Sequence, residues 1–290
     1  MTTATPVPTP SAPPRDPVTD VRPGDRWLVV VAHPDDEAFG CGSTIARAAA
    51  AGARVTLACA TRGEAGEPAP GLADCADLGA VREAELYRSA AALGIGSVEL
   101  LGYRDSGFDG EPPRGSLCAA APDDVAGVLA RLVTEVRPDV VLVLDGSDGH
   151  RDHRRIRTAT AAAVRDAAGA ATVLVEHCLP HSLMCRWLEE MRTLRPDTAY
   201  HAIDPADLGR PDAEVTDVLD VRAVLDRREV AIAEHRSQAS PFDGLSPQLR
   251  RAFLGTDHLA RVPWRPRGRQ RWWDPARAGW VPCPARASRP

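Results

Sequence analysis

The chemistry-bearing residues of this chain concentrate in two short segments, of which the first, His33–Glu37, holds an imidazole, a proline and three successive acids. It directly follows the apolar run 27–32. Since adjacent side chains of a turn diverge, His33 and Asp36 can face one point while Asp35 points elsewhere, which predicts two metal ligands and one free base. The alternative is an ordinary helix N-terminus, which proline and acids favour. Capping, however, requires neither the imidazole nor three acids in succession.

The second segment, residues 145–153, again places acids and imidazoles at the end of an apolar run, 140–144. If a helix begins near Arg151, His150 and His153 share one of its faces. Imidazoles and a carboxylate form the ligand set of a mononuclear catalytic zinc site that keeps one position open for water. The alternative is a solvated loop with ordinary surface histidines, but the pairing with the first segment favours the metal site.

The elements around these segments predict a parallel sheet, because their apolar runs do not alternate and are typical of strands covered on both faces. Five βα repeats indicate a Rossmann-like, doubly wound, mostly parallel sheet with right-handed crossovers. Open sheets of this kind bind ligands at the carboxyl ends of their strands. The predicted strands are 27–32, 54–60, 97–101, 140–144 and 171–176, and the predicted helices are 38–51, 79–93, 122–136 and 151–168.

The chain divides into three predicted parts. Residues 1–25 are rich in Pro and Thr and are expected to form a disordered arm. Residues 26–180 form the Rossmann-like catalytic core, and residues 181–290 form a smaller, irregular C-terminal appendage that completes the pocket. Helices are expected in the appendage at 183–194 and 221–235, with short strands at 199–203 and 214–219.

Composition narrows the class of protein. A net charge of -5 over 290 residues argues against nucleic-acid binding and fits a small-molecule enzyme. No apolar run approaches the roughly 20 residues that span a bilayer, so no membrane partner is expected. The seven cysteines are scattered without a CxxC pair, which is simplest for reduced thiols in a cytoplasmic protein.

Three further features have structural or alternative explanations. Gly40 and Gly42 hint at a dinucleotide loop, but Ile45 stands where a third small residue is needed, so no nucleotide cofactor is expected. His177, Cys178 and His181 could bind a metal, yet Pro180 interrupts the helix that would align them. The Arg- and Trp-rich tail from residue 258 could stack on a sugar or base. An exposed wrap or a subunit contact in a homo-oligomer explains this tail better.

The sequence resembles the LmbE-like or PIG-L family of metal-dependent N-acetylglucosaminyl deacetylases. The resemblance rests on a strand ending in AHPDDE and on the later HxDH motif, and it extends from residue 26 to about residue 240 in the right order. Further matching segments are Gly40–Thr44, Thr61–Gly66, Arg82–Glu85, Ala92–Gly94, Arg104–Gly107 and His235–Gln238.

The resemblance implies a division of roles at the centre. His33, Asp36 and His153 correspond to the metal ligands, with Zn²⁺ as the default and Fe²⁺ as the alternative. Asp35 corresponds to the general base and proton donor to the leaving amine, and His150 to the group that stabilises the oxyanion. Other positions match a residue that orients a histidine, Asp152, and substrate contacts: Arg82, Asp105, Glu64 as a weaker candidate, and His235 at the pocket edge.

One position departs from the family pattern. Members that deacetylate the mycothiol precursor carry a tyrosine two residues before the first histidine of the second motif, and this chain has Asp148 there. A carboxylate cannot donate a hydrogen bond at neutral pH as a phenol can. Asp148 is therefore expected to face substrate. It favours an N-acetyl amino sugar of a secondary metabolite, such as an aminoglycoside or a glycopeptide, over a thiol precursor.

The sequence therefore predicts a zinc-dependent hydrolase that removes the N-acetyl group from an N-acetylglucosamine-type amino sugar, a small molecule. One alternative is an amidase of the same family that cleaves a larger N-acyl or thiol-conjugate amide. A second is a non-catalytic sugar- or nucleotide-binding module on the same fold, although the whole set of ligands and base argues against it.

Overall fold

The structure is a computed structural model that describes residues 15–69, 71–72, 75–194, 199–265, 271–274 and 279–282. Its central feature is a seven-stranded sheet of order β3-β2-β1-β4-β5-β7-β6, in which the first five strands are parallel and β7 is antiparallel to both β5 and β6. The strands are β1 (Arg26–Val31), β2 (Arg54–Cys59), β3 (Ser97–Leu100), β4 (Val140–Leu144), β5 (Val173–Cys178), β6 (Asp217–Asp220) and β7 (Thr256–Arg261). The predicted mostly parallel α/β fold is confirmed.

Helices cover both faces of the sheet. They are α1 (Asp36–Phe39), α2 (Gly42–Ala50), α3 (Leu78–Leu93), α4 (Pro122–Val136), α5 (Arg151–Ala167), α6 (His181–Leu194), α7 (Leu225–Glu234) and α8 (Pro247–Leu254). Short 3₁₀ turns lie at Ala199–Ala202, Pro205–Asp207, Asp212–Glu214 and Arg222–Val224. A separate antiparallel pair, β8 (Arg271–Asp274) and β9 (Gly279–Pro282), follows. Among the described residues, no helix is both long and apolar enough to cross a membrane.

Strand β1 supplies residues to both sides of the core. Trp27, Val29 and Val31 pack into the cluster beneath α2, α3 and α7, whereas Leu28 and Val30 pack into the cluster beneath α4 and α5. All five side chains are fully buried, and burying a large aliphatic side chain stabilises a fold by about 1.5–3 kcal/mol. The strand that carries His33 at its carboxyl end is therefore held on both faces.

The sequence-based prediction of one helix over 38–51 is wrong, because the chain breaks between α1 and α2. A Cβ atom added to Gly40 would lie 2.7 Å from the Asp36 carbonyl oxygen and 2.8 Å from Leu144 Cδ2. Only glycine fits this close approach. The predicted strand 199–203 is also wrong, since Ala199–Ala202 forms a 3₁₀ turn, and neither α8 nor β7 was predicted.

Part of the predicted N-terminal arm packs on the core, while residues 1–14 lie outside the described residues. The Val18 side chain is fully buried. Arg15 pairs with Asp25 at 2.7 Å, and Asp16 pairs with Arg261 of β7 at 2.6 Å. Residues 266–270, 275–278 and 283–290 of the Arg- and Trp-rich tail likewise lie outside the described residues.

Candidate metal centre

The end of β1 and the start of α5 meet where the order in which the chain adds strands to the sheet reverses. The chain runs outward from β1 through β2 to β3, then returns to β4 on the opposite side of β1. Such a switch point leaves a crevice at the carboxyl ends of the two central strands. The first chemistry-bearing segment follows β1 and the second follows β4, so the fold brings the two together as expected.

The backbone fixes the carboxylate of Asp36. Its Oδ2 atom accepts hydrogen bonds from the backbone N–H groups of Ala32, at 3.1 Å, and of His33, at 2.9 Å. These bonds and the charges of His153 and His33 outweigh burial, and they hold the pKa of Asp36 well below its usual range. Asp36 is therefore ionised and held beside the imidazole that precedes it.

Two imidazole nitrogens and the two oxygens of one carboxylate lie close together. His33 Nδ1 lies 3.2 Å from His153 Nε2, which lies 3.2 Å from Asp36 Oδ1, and His33 Nδ1 lies 3.7 Å from Asp36 Oδ2. Tetrahedral zinc with bonds of about 2.0–2.1 Å separates its ligands by about 3.3–3.4 Å. The two distances of 3.2 Å are close to this separation, and Asp36 faces the two imidazoles through different oxygens, so the three residues are candidate ligands of a divalent metal.

Carboxylates hold the outer nitrogens of both imidazoles. His33 Nε2 lies 3.3 Å from Asp152 Oδ2 and 3.6 Å from Asp105 Oδ1, and His153 Nδ1 contacts Asp148 Oδ2. A proton on each outer nitrogen leaves the lone pairs of His33 Nδ1 and His153 Nε2 directed at each other. This is the arrangement by which carboxylates orient metal-binding histidines, and the donor set suits Zn²⁺ or Fe²⁺.

His150 caps α5 and lies against the two other imidazoles. Its Nδ1 atom accepts the backbone N–H of Asp152 at 3.2 Å, which assigns the proton of the neutral ring to Nε2. Burial and the nearby His33 lower the pKa of His150 to about 4. A ring nitrogen of His150 lies close enough to nitrogens of His33 and His153 for the three residues to form an alternative ligand group. His33, Asp105 and Asp152 form a second such group.

Asp35 has an unusual backbone conformation and a carboxylate that is partly exposed to solvent. Its φ of 115° lies in a region that non-glycine residues rarely adopt. Burial raises the pKa of the Asp35 carboxyl to about 6, although the Arg82 guanidinium opposes the shift. Arg82 Nη2 donates to Asp35 Oδ2 at 2.9 Å and to the Pro34 carbonyl at 2.6 Å. Asp35 thus stands beside the convergent ligands without joining them.

Glu37 is a functional candidate that the sequence analysis did not single out. Its side chain is fully buried, and its carboxylate accepts the backbone N–H of Asp35 at 3.0 Å. His235 Nε2 lies 2.6 Å from Glu37 Oε1, and the Ser89 hydroxyl donates to the same oxygen. Its place in the acidic segment HPDDE was the only sequence feature that pointed to Glu37, because its partners Ser89 and His235 are distant in sequence.

Only some of the predicted substrate-contact residues line the space beside the candidate ligands. Arg82 and Asp105 line a polar recess beside the ligands, as does His150. Glu64 lies behind Asp105, whose backbone N–H it accepts at 3.2 Å. His235 is buried against Glu37 and does not line this recess, and Asp148 contacts His153. The lining of the recess also includes Glu67, Phe108 and Gln238, which the sequence analysis missed.

Comparison with known proteins gives relatives in sequence and in fold. Residues 28–164 match the PIG-L family, described as GlcNAc-PI de-N-acetylase. A 1D-myo-inositol 2-acetamido-2-deoxy-alpha-D-glucopyranoside deacetylase of Acidothermus cellulolyticus is 36% identical over 253 residues, covering 80% of this chain and 86% of that protein.

Two solved structures show how widely the fold is used. The A40926 pseudoaglycone deacetylase is 19% identical, covers 81% of this chain and 96% of its own, and has a TM-score of 0.55. The 4-carboxy-2-hydroxymuconate hydratase from Pseudomonas putida is 21% identical, covers 83% and 97%, and has the same TM-score of 0.55. Because a deacetylase and a hydratase share this architecture, the fold alone does not determine the reaction.

Proposed function

Since the chain belongs to the PIG-L family and is a hydrolase of N-acetyl amide bonds in amino sugars, we propose that it is a metal-dependent deacetylase of a 2-acetamido-2-deoxyglucoside. One observation carries this proposal. Two imidazole nitrogens lie 3.2 Å apart and each faces an oxygen of the Asp36 carboxylate, at 3.2 Å and 3.7 Å, while the Asp35 carboxylate, held by Arg82, lies beside them. A sugar-binding module has no need of a separate base in that position.

The proposed ligands are His33, Asp36 and His153. A divalent metal held there, Zn²⁺ in the first instance and Fe²⁺ as the alternative, would supply a Lewis acid for the amide carbonyl and lower the pKa of water towards about 7. Asp152 and Asp148 keep the two imidazoles oriented, because each carboxylate holds the nitrogen that faces away from the centre.

The remaining residues handle protons and charge. Asp35 takes the proton of the attacking water and returns it to the departing amine. Arg82 fixes the carboxylate of Asp35 by its hydrogen bond of 2.9 Å. His150 donates from Nε2 to the oxyanion as a neutral imidazole, since its Nδ1 already accepts a backbone N–H.

We place a glucosaminide of inositol first among substrates, because a relative that is 36% identical over most of both chains is named for that substrate. The expectation of an aminoglycoside or glycopeptide substrate rests on Asp148 standing where a phenol could act. Asp148 contacts His153 Nδ1, so its presence has a reason other than substrate choice. The secondary-metabolite substrate stays a second candidate.

A mass-spectrometric comparison tests the proposal. Metal-loaded protein is incubated with 2-acetamido-2-deoxyglucosides of inositol, of an aminoglycoside core and of a glycopeptide, and loss of an acetyl group is measured. We expect the inositol compound to react fastest and chelation to stop the reaction. No loss of acetyl from any glucosaminide by the metal-loaded protein would refute the proposed function.

A further inference from the structure

The loop that follows β3 donates backbone hydrogen bonds to both carboxylates beside His33. The N–H of Ser106 donates to Asp152 Oδ2 at 2.9 Å, and the N–H of Gly107 donates to Asp105 Oδ1 at 2.8 Å. These are the same two carboxylate oxygens that face His33 Nε2. The backbone of this loop therefore helps to hold a candidate metal ligand.

Arg151, the first residue of α5, binds that loop through its guanidinium. Residues 106–110 are the recess loop. Four of its backbone carbonyls accept hydrogen bonds from Arg151, namely those of Ser106, of Gly107 at 2.6 Å, of Asp109 at 2.7 Å and of Gly110 at 2.7 Å. One side chain of α5 thus contacts nearly the whole length of the recess loop.

The conformation of the recess loop depends on this cation. Four carbonyl oxygens that face one point repel one another unless a donor lies between them, and a guanidinium offers five N–H donors in one plane and stays charged in proteins. Gly107 and Gly110 have φ angles of 66° and 71°, in the left-handed region that favours glycine, and these turns let the carbonyls face inward. The recess loop is therefore built around the Arg151 side chain.

The recess loop also forms part of the wall of the polar recess. Gly107 and Phe108 line the recess, and the Phe108 side chain is 69% exposed. The centroid of the Phe108 ring lies 5.5 Å from that of His150, the proposed donor to the oxyanion. A change in the recess loop would therefore alter the surface that substrate contacts as well as the hold on His33.

We propose that Arg151 is a positioning residue, which keeps the recess loop in the conformation that the metal and the substrate require. The proposal rests on the proposed function, since it needs a metal at the candidate centre and a substrate in the polar recess. Arg151 occupies the open position of the HxDH motif, so the family resemblance gives it no role. Its own side chain does not line the recess, so it acts through the recess loop.

Hydrogen exchange measures the order of the recess loop directly. In the metal-free protein, Arg151→Ala should exchange the amides of residues 105–110 faster than the unmodified protein does. The variant should fold, because alanine favours a helix and the His150 side chain still caps α5. Arg165→Ala makes the same change at an exposed residue in the last turn of α5 and should exchange as the unmodified protein does.

Metal affinity gives a second measurement. Competition with a chelator should show that Arg151→Ala binds Zn²⁺ about 10-fold more weakly, at the low end of the losses seen when groups behind metal ligands are changed, because both carboxylates remain. Arg151→Lys should fall between Arg151→Ala and the unmodified protein, since an ammonium keeps the charge but cannot span four carbonyls. Arg165→Ala should bind Zn²⁺ as the unmodified protein does.

Kinetics on the 2-acetamido-2-deoxyglucoside of inositol should separate KM from kcat. In Arg151→Ala, KM should rise about 3–10-fold, because binding of substrate must then also order the recess loop. At saturating metal kcat should change little, since Arg82 and Glu37, which lie outside the recess loop, hold Asp35.

The outcomes separate this inference from the proposed function. If the unmodified, metal-loaded protein removes acetyl from no glucosaminide, the proposed function fails. If that protein is active and Arg151→Ala retains its amide protection, metal affinity and KM, Arg151 has no positioning role. A raised KM with unchanged exchange and metal affinity also overturns the inference, because Arg151 would then contact substrate itself. Equal effects in Arg151→Ala and Arg165→Ala overturn it too, since the charge of α5 would then matter and the recess loop would not.

Discussion

The carboxylate of Glu37 accepts the backbone N–H of Asp35 at 3.0 Å, and this is the residue whose φ is 115°. A strained backbone of this kind costs about 1–3 kcal/mol and persists only where its surroundings hold it. Glu37 is itself held by His235 and Ser89 in a fully buried cluster. The proposed base is thus positioned by a residue two places along the chain that faces away from substrate.

Replacing Glu37 tests this relationship. Glu37→Gln removes the charge that pairs with His235 and weakens the hold on Asp35, so we expect kcat to fall about 10–100-fold with metal content unchanged. KM should change much less than kcat, because Glu37 does not line the polar recess. Glu99→Gln on exposed β3 is the matched control and should leave both constants unaltered. Equal losses in stability and metal content would instead mean that Glu37 only supports the fold.

Asp35→Asn tests the base. The amide keeps the shape of the side chain but cannot take a proton, so kcat should fall by about 10²–10⁴-fold. Bound metal, measured by elemental mass spectrometry, should remain near that of the unmodified protein, since Asp35 is not among the convergent ligands. Asp109→Asn, an exposed change near the recess, should retain activity. Full activity in Asp35→Asn would require another base.

Replacing Asp148 decides between two roles. If it orients His153 through Nδ1, Asp148→Ala should weaken metal binding about 10–100-fold, measured by competition with a chelator. Asp148→Asn keeps an acceptor oxygen and should lose less. Asp109→Ala is the control. Unchanged metal affinity with a raised KM would return Asp148 to the substrate contact that the sequence predicted.

Asp257 should link stability to pH. It is buried, accepts from Thr44 at 2.7 Å and pairs with Arg228 at 3.0 Å. Despite burial, Arg228 and His177 lower the pKa of Asp257 to about 2, below its value of about 3.9 in an unfolded chain. The stabilisation is therefore present above about pH 4 and is lost as the pH falls towards 2.

Urea unfolding of Asp257→Asn measures this contribution. At pH 7 the variant should lose about 3–5 kcal/mol of unfolding free energy, because Arg228 is left as a buried, unpaired charge. The difference from the unmodified protein should narrow below about pH 4. Asp220→Asn, which removes an exposed partner of Arg222, should change little at either pH. A loss that is the same at pH 3 and pH 7 would contradict the assigned ionisation.

The five parallel strands of the sheet could be predicted from the sequence because the patterns that indicate them are local. The apolar runs that predict β1 and β4 are short continuous segments, and both acidic segments begin where those strands end. The break after Phe39 was not predicted in this way, because the close approaches of Gly40 to the Asp36 carbonyl oxygen and to Leu144 of β4 exist only in the folded chain. Likewise β7 has a mixed sequence, Thr256–Arg261, whose strand character comes from its neighbours β5 and β6.

The candidate site, too, could be predicted only where its residues are close together in sequence. Local spacing could suggest His33 with Asp36 and His150 with His153, whereas the choice of His153 as a ligand came from the family resemblance. Asp148 is only five positions from His153, which it contacts. The carboxylates beside His33 come from Asp105, in the loop after β3, and from Asp152, in the first turn of α5, and their proximity to His33 is a property of the fold. Glu37 gave a weak signal, and its partner His235 stands 198 positions away. Such pairings need tertiary structure.

The insertion of β7 between β5 and β6 sets a limit on how this protein can be divided. A fragment that stopped at residue 180 would retain every proposed metal ligand and the proposed base. It would also leave Glu37 without His235, and it would remove Arg228, whose guanidinium binds the carbonyls of Ala38, Phe39 and Gly40. We therefore expect a fragment that ends at residue 180 to lose activity although it keeps the proposed ligands and base.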